Sequence, residues 1–209
     1  MFHQLPKATK ILLWVNCGMF LLELLVGNGL APLMLFPIGG GDGGQGLLPV
    51  LGNFLPWQLV TYAFLHDRSG FGHIFFNMLA LVMFGAPLEY TWGFKRFLTF
   101  YFICVVGAGL TYLAWAAAIG SYEPVLGASG GIFGLLLAYG MLFPRQRVML
   151  LLPPVEMDAR TLVIVYGAIE LFFIASGMNG GVAHFAHLGG MLGGVLCILY
   201  WQARRRFSS

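Results

Sequence analysis

The sequence is short of charge. Asp, Glu, Lys and Arg make up only 9% of its 209 residues, against roughly a quarter in a soluble globular domain. So few charges cannot cover a water-facing surface, which excludes a soluble enzyme or binding module. Cysteine is scarce too. Cys17, Cys104 and Cys197 each lie inside an apolar run, at spacings that match no zinc pattern and suit no disulfide framework. The net charge of +3 carries no basic footprint for nucleic acid. What the chain has instead is apolar surface, at 59% hydrophobic residues, and 30 glycines. Together these imply a polytopic membrane protein whose partner is the lipid bilayer and whose helices pack closely through small residues.

Hydropathy divides the chain into six spans, at about 11–26, 73–88, 97–118, 129–143, 162–176 and 185–201. The fold class expected is an all-α membrane bundle, with residues 1–209 as one transmembrane domain. The first run could pass for a signal peptide, but Glu23 lies inside it and no small-residue cleavage site follows, so it reads as a retained span. Several runs fall short of the roughly 20 residues that cross a bilayer. That is expected where a helix begins inside a water-filled cavity. Residues 27–72 read as an interfacial loop with short amphipathic helices around the glycine-rich GGGDGGQG. Trp57 and Tyr62 are its expected headgroup anchors.

Six spans put both termini on one side. Lys7, Lys10, Lys95, Arg96, Arg145, Arg147, Arg160, Arg204, Arg205 and Arg206 share that side, and Arg68 alone falls opposite. Ten against one predicts cytoplasmic termini. The heads of the second, fourth and sixth spans then lie on the other face. They carry His73, Ser129 and His187 respectively.

Three polar groups on one leaflet suggest chemistry. Serine needs a base to become a nucleophile. His187 is the candidate, and Gly190 and Gly194 share its helix face at i+3 and i+7. On the fourth span, Gly127 and Gly131, and Gly130 and Gly134, have GxxxG spacing. Close helix contact through these small residues would bring Ser129 to His187. His73 and Asn77 are spaced i, i+4 and present two N–H donors suited to an oxyanion. The Ser129 backbone amide, in a first helical turn, is a third. No acid is evident to complete a triad: the carboxylates assigned to that side are Asp42, Asp67 and Glu123, all in loops. The economical reading is a Ser–His dyad with no metal or cofactor. His184 is the alternative base. His66 reads as a loop residue. Glu23 and Glu170 are expected in buried hydrogen bonds, with a proton relay the alternative for Glu170.

The motifs PWQLVTYAFLH, HIFFN, Glu89 with TWGFKRF, GASGG and AHLGGMLGG occur in that order from Trp57 to Gly194. In this combination the sequence resembles the rhomboid family of intramembrane serine proteases, bacterial six-helix type. The resemblance implies Ser129 as nucleophile, His187 as general base, and His73 and Asn77 as oxyanion donors. It implies a partly membrane-embedded first loop and a fifth helix that gates lateral entry of transmembrane protein substrates. The family often has tyrosine where this chain has Phe133, so the ring can stack on the histidine without a hydroxyl. The implied setting is a bacterial inner membrane, with the site opening to the periplasm. A non-catalytic, helix-binding member of the family would be marked by loss of Ser129 or His187, and both are present. A proton-coupled transporter using Glu23, Glu170 and the histidines would call for an internal repeat, and none is seen.

Overall fold

The computed structural model describes residues 5–39, 53–151, 154–177 and 182–207. Asp42 and most of GGGDGGQG lie outside them. The main helices are α1 (Lys7–Val26), α3 (Gly72–Trp92), α4 (Phe94–Ile119), α5 (Ser129–Leu142), α6 (Ala159–Ser176) and α7 (Val182–Phe207). A short α2 (Gln58–Thr61) lies in the first loop, between 3-10 turns at Gly27–Leu33 and Tyr62–Phe64. A π turn at Leu81–Gly85 interrupts α3. Five of the main helices are long and apolar enough to cross a membrane, and α5 is a shorter apolar helix of 14 residues. The protein is therefore a multi-pass membrane protein. At 1.5 Å per residue α5 is about 21 Å long, so its two ends cannot both reach the surfaces of a bilayer core roughly 30 Å thick.

α5 is also the most enclosed helix. Nine of its residues are buried, among them Gly130, Gly131, Gly134 and Gly140. The absence of side chains there sets the packing. A Cβ on Gly134 would stand 2.3 Å from Cys104 Sγ of α4, and one on Gly140 would stand 2.5 Å from Val163 of α6. α4 and α7 approach as closely, since a Cβ on Gly189 would meet Thr111 at 2.5 Å. Helices in lipid gain little from burying apolar surface against each other, so backbone-to-backbone fit of this kind drives their association.

The first loop is tied down by polar side chains. The buried Gln58 accepts from the backbone N–H groups of Phe36 and Leu55, each at 3.2 Å, and donates to the carbonyls of Pro32 and Asn53. Tyr62 is 1% exposed and donates to the Val105 carbonyl at 2.8 Å. This corrects its expected place as a headgroup anchor: a ring with its hydroxyl satisfied inside the bundle loses nothing by leaving the interface. Trp57 is half exposed. The loop then holds the segment before α5. Leu35 and Val125 exchange two backbone hydrogen bonds, and the Gly127 N–H donates to the Tyr62 carbonyl at 3.0 Å.

Two carboxylates in the core have structural partners. Glu89 accepts from the N–H groups of Ala8 and Thr9, both at 2.7 Å, and so caps the first turn of α1. Glu23 accepts from the His66 N–H at 2.9 Å, the buried hydrogen bond expected of it. One element was not anticipated in an all-α expectation. Strands β1 (Arg147–Met149) and β2 (Glu156–Asp158) form a small antiparallel hairpin between α5 and α6. Three-residue strands are too short to leave an alternating signal in the sequence.

Candidate active site

Ser129 is the first residue of α5, which has no side-chain cap. The first-turn amides therefore lack intrahelical partners and point their N–H groups out of the helix end. The turn into α5 depends on Gly127, at φ 125°, in a region that side chains disfavour. A Cβ there would also lie 3.1 Å from His73 Nε2. The glycine thus lets the His73 ring stand next to the serine turn.

α5 and α7 meet at Gly130 and Gly190, and one turn before that contact His187 faces Ser129. Its Nε2 lies 2.8 Å from Ser129 Oγ. Phe133, one turn into α5, stacks on the imidazole with centroids 4.1 Å apart and planes 6° from parallel. The ring lacking a hydroxyl still makes the stack. His184, the alternative base, is turned away from the serine. It stacks on Phe173 and approaches Glu170.

His73 and Asn77 stand on one face of α3. The Asp67 N–H donates to His73 Nδ1 at 3.1 Å, so the neutral ring carries its proton on Nε2, the nitrogen beside Gly127 and Ser129. Asn77 turns one N–H to the His73 carbonyl at 2.9 Å, leaving a second. Asp67 is itself held by the Ser69 N–H and Oγ, which keep its carboxyl below the usual range. His66 packs behind His73, 5.1 Å between ring centroids, 1% exposed and with neither ring nitrogen in a well-formed hydrogen bond. Burial, reinforced by His73, lowers its pKa to about 4.

Ser129, His187, His73, Asn77 and Gly127 line one cavity of 660 Å³. Its other walls are apolar, from Phe76 and Met83 of α3, Leu136 of α5, and Leu162 and Tyr166 of α6. α6 is the least embedded wall. Ile164, Leu171 and Phe172 on its outer side are each about 60% exposed, at 62%, 59% and 62%.

The structure overturns one expectation. An acid does reach His187: Glu170 of α6 places Oε1 3.0 Å from its Nδ1 and Oε2 2.5 Å from His184 Nδ1. The carboxylates assigned to the serine side were all in loops, whereas Glu170, expected in a buried hydrogen bond, is eleven residues into a helix that starts at Ala159. That is about 16 Å along the axis, level with the serine; depth counting reaches this level but not the face on which Glu170 stands. Among the described residues, Glu170, His184 and His187 also group as metal-type ligands with atoms within 4.8 Å, and the hydrogen bonds above already engage those atoms.

A short, enclosed helix presents a serine to a histidine at the mouth of an apolar cavity, the pairing by which a histidine can activate a serine hydroxyl. The rhomboid domain matches residues 54–204, and the chain belongs to the rhomboid family. It is 33% identical over 145 residues to Rhomboid protein 1, mitochondrial, of Saccharomyces cerevisiae, covering 66% of this chain and 40% of that protein. To Rhomboid-like protease 3 of Toxoplasma gondii it is 26% identical over 203 residues, covering 92% and 70%. To Rhomboid-type serine protease 2 of Emericella nidulans it is 33% identical over 160 residues, covering 68% and 27%. The chain thus spans well under half of two of these relatives.

Proposed function

We propose that this protein is an intramembrane serine endopeptidase that cuts transmembrane segments of other membrane proteins. The observation that carries the proposal is the 2.8 Å contact between Ser129 Oγ and His187 Nε2 at the edge of the 660 Å³ cavity. Ser129 attacks the scissile carbonyl while His187 takes its proton, then returns it to the leaving amine. General-base assistance of this kind contributes roughly 10²–10⁴-fold. The oxyanion is received by His73 Nε2–H, the free Asn77 N–H and the Ser129 amide, each such donor being worth about 10²–10³-fold. Gly127 beside the serine leaves room for a substrate backbone and favours small side chains at the cut.

A regular helix hides its carbonyls in hydrogen bonds, so the substrate must unwind locally, and helix-breaking residues near the cut favour cleavage. The weakly embedded α6 is the wall past which a substrate helix enters. Residues 1–209 act as one domain with six spans, α5 among them. The asymmetry of basic residues supports cytoplasmic termini and a site opening to the periplasmic side of a bacterial inner membrane. The test is cleavage of a reporter transmembrane substrate by purified protein, together with labelling of Ser129 by a fluorophosphonate. Full cleavage by Ser129→Ala overturns the proposal, and retained cleavage by His187→Ala with loss in His184→Ala moves the base.

A further inference from the structure

Glu170 reaches the site from a helix that carries neither nucleophile nor base. It is 5% exposed and lies in the apolar body of the bundle. A carboxylate in such a place costs several kcal/mol unless it is fully satisfied. Its satisfaction is specific. Oε1 is 3.0 Å from His187 Nδ1 and Oε2 is 2.5 Å from His184 Nδ1. Each histidine is held by a stack as well, His187 on Phe133 and His184 on Phe173. A carboxylate can only accept hydrogen bonds, so both Nδ1 atoms carry protons. The proton on His187 is then fixed at Nδ1, and Nε2, facing Ser129 Oγ at 2.8 Å, is left with its lone pair.

We propose that Glu170 is a positioning residue that completes a Ser129–His187–Glu170 chain, with His184 anchoring the second carboxylate oxygen. The proposal rests on the protease function given above and deepens it from a dyad to a triad. Glu170 holds the tautomer in which His187 can accept the serine proton, and it faces the imidazolium formed when that proton moves. The proton stays on His187 until the leaving amine takes it; Glu170 never receives it. His184 plays no part in proton transfer. With Nδ1–H on Oε2, it stops the carboxylate from turning both oxygens toward His187, and so keeps one oxygen in line with the His187 ring. Because Glu170 sits on α6, a displacement of that helix when substrate enters would separate Glu170 from His187. The base is then assembled only when α6 is seated. The titratable groups around His187 are Glu170 from α6, His184 from its own helix and His73 from α3.

The test uses the full chain in detergent or bicelles, with wild type, Ser129→Ala and the near-isosteric Glu170→Gln side by side. Glu170→Gln is expected to lower kcat roughly 10- to 10⁴-fold, with KM within about twofold: a carboxamide offers one accepting oxygen to two Nδ1 atoms, and its NH2 turned to His187 favours the wrong tautomer, the cause of the ~10⁴-fold loss when a triad acid is made an amide. Fluorophosphonate labelling of Ser129 slows in parallel. A role in folding alone would lower yield and thermal stability and leave the kcat of the folded protein in place. A second measurement is independent of activity: ¹⁵N spectra of histidine-labelled wild type. A protonated Nδ1 and an unprotonated Nε2 on neutral His187 support the chain, and the opposite tautomer overturns it even if Glu170→Gln fails to fold. If wild type cuts, Ser129→Ala does not, and Glu170→Gln matches wild type in kcat, this inference fails while the protease function stands. If wild type neither cuts nor labels, the protease function fails, and the tautomer alone decides whether Glu170 positions His187.

Discussion

Gly190 stands so close to Gly130 that a Cβ on Gly190 would lie 1.9 Å from the Gly130 carbonyl oxygen. No side-chain adjustment relieves a clash with backbone. Gly190→Ala therefore pushes α7 away from α5 and draws His187 off Ser129. Thermal unfolding should show a loss of about 1–3 kcal/mol or more, typical of overpacking, and cleavage should fall by at least 100-fold, on the order of the general-base contribution. Gly167→Ala is the control. The nearest atom to its new Cβ is 3.9 Å away, so this substitution should keep activity and raise helix stability by about 0.5–1 kcal/mol. Equal effects from the two would show that the close approach does not govern the site.

Phe133 holds the plane of the His187 ring. Phe133→Tyr keeps the stack and should retain cleavage within about threefold. Phe133→Ala frees the ring and gives up an aromatic contact worth about 0.5–1.5 kcal/mol, or roughly tenfold in rate if the loss falls on the reactive geometry. Steady-state cleavage of one reporter by the three proteins separates the outcomes.

Glu89 acts far from the chemistry. Removing its cap on α1 by Glu89→Ala leaves the Ala8 and Thr9 amides without their buried acceptor. The expected cost is about 1–3 kcal/mol in unfolding free energy. Protein that remains folded should cleave at the wild-type rate at low temperature, since α1 contributes no group to the cavity lining.

His66 makes stability depend on acid. Its folded pKa of about 4 lies below the ordinary value of 6.5. The unfolded chain thus takes up a proton that the folded protein refuses. Stability is full above about pH 6.5 and falls as pH drops toward 4, by on the order of 3 kcal/mol for the whole shift. His66→Gln should flatten this part of the thermal-stability profile. An unchanged acid slope in the variant would assign the effect to another group.

Much of this protein was legible in its sequence because the relevant signals are local. Apolar runs located the helices to within a few residues; the second, expected at 73–88, is Gly72–Trp92, and the third, expected at 97–118, is Phe94–Ile119. The serine in GASGG and the histidine in AHLGGMLGG were readable as a pair because both were assigned to one leaflet and both sit among small residues. The HIFFN spacing placed His73 and Asn77 on one helix face without any knowledge of what that face meets.

Partners across the bundle were a different matter. Hydropathy gives a helix its depth but leaves its rotation open, and each residue turns the face by about 100°. Glu170 could be counted to the level of the serine, yet only the packed positions of α6 and α7 decide that it points at His187 and His184 and not at lipid. The same holds for Tyr62, whose hydroxyl found the Val105 carbonyl in the core, and for Gln58, whose four hydrogen bonds link parts of a loop far apart in the chain. The sequence by itself determined a helical membrane protein with a serine and a histidine on one leaflet. The tertiary structure alone decided that the histidine has an acid behind it, because that contact depends on the relative rotation of two helices, which no single segment encodes.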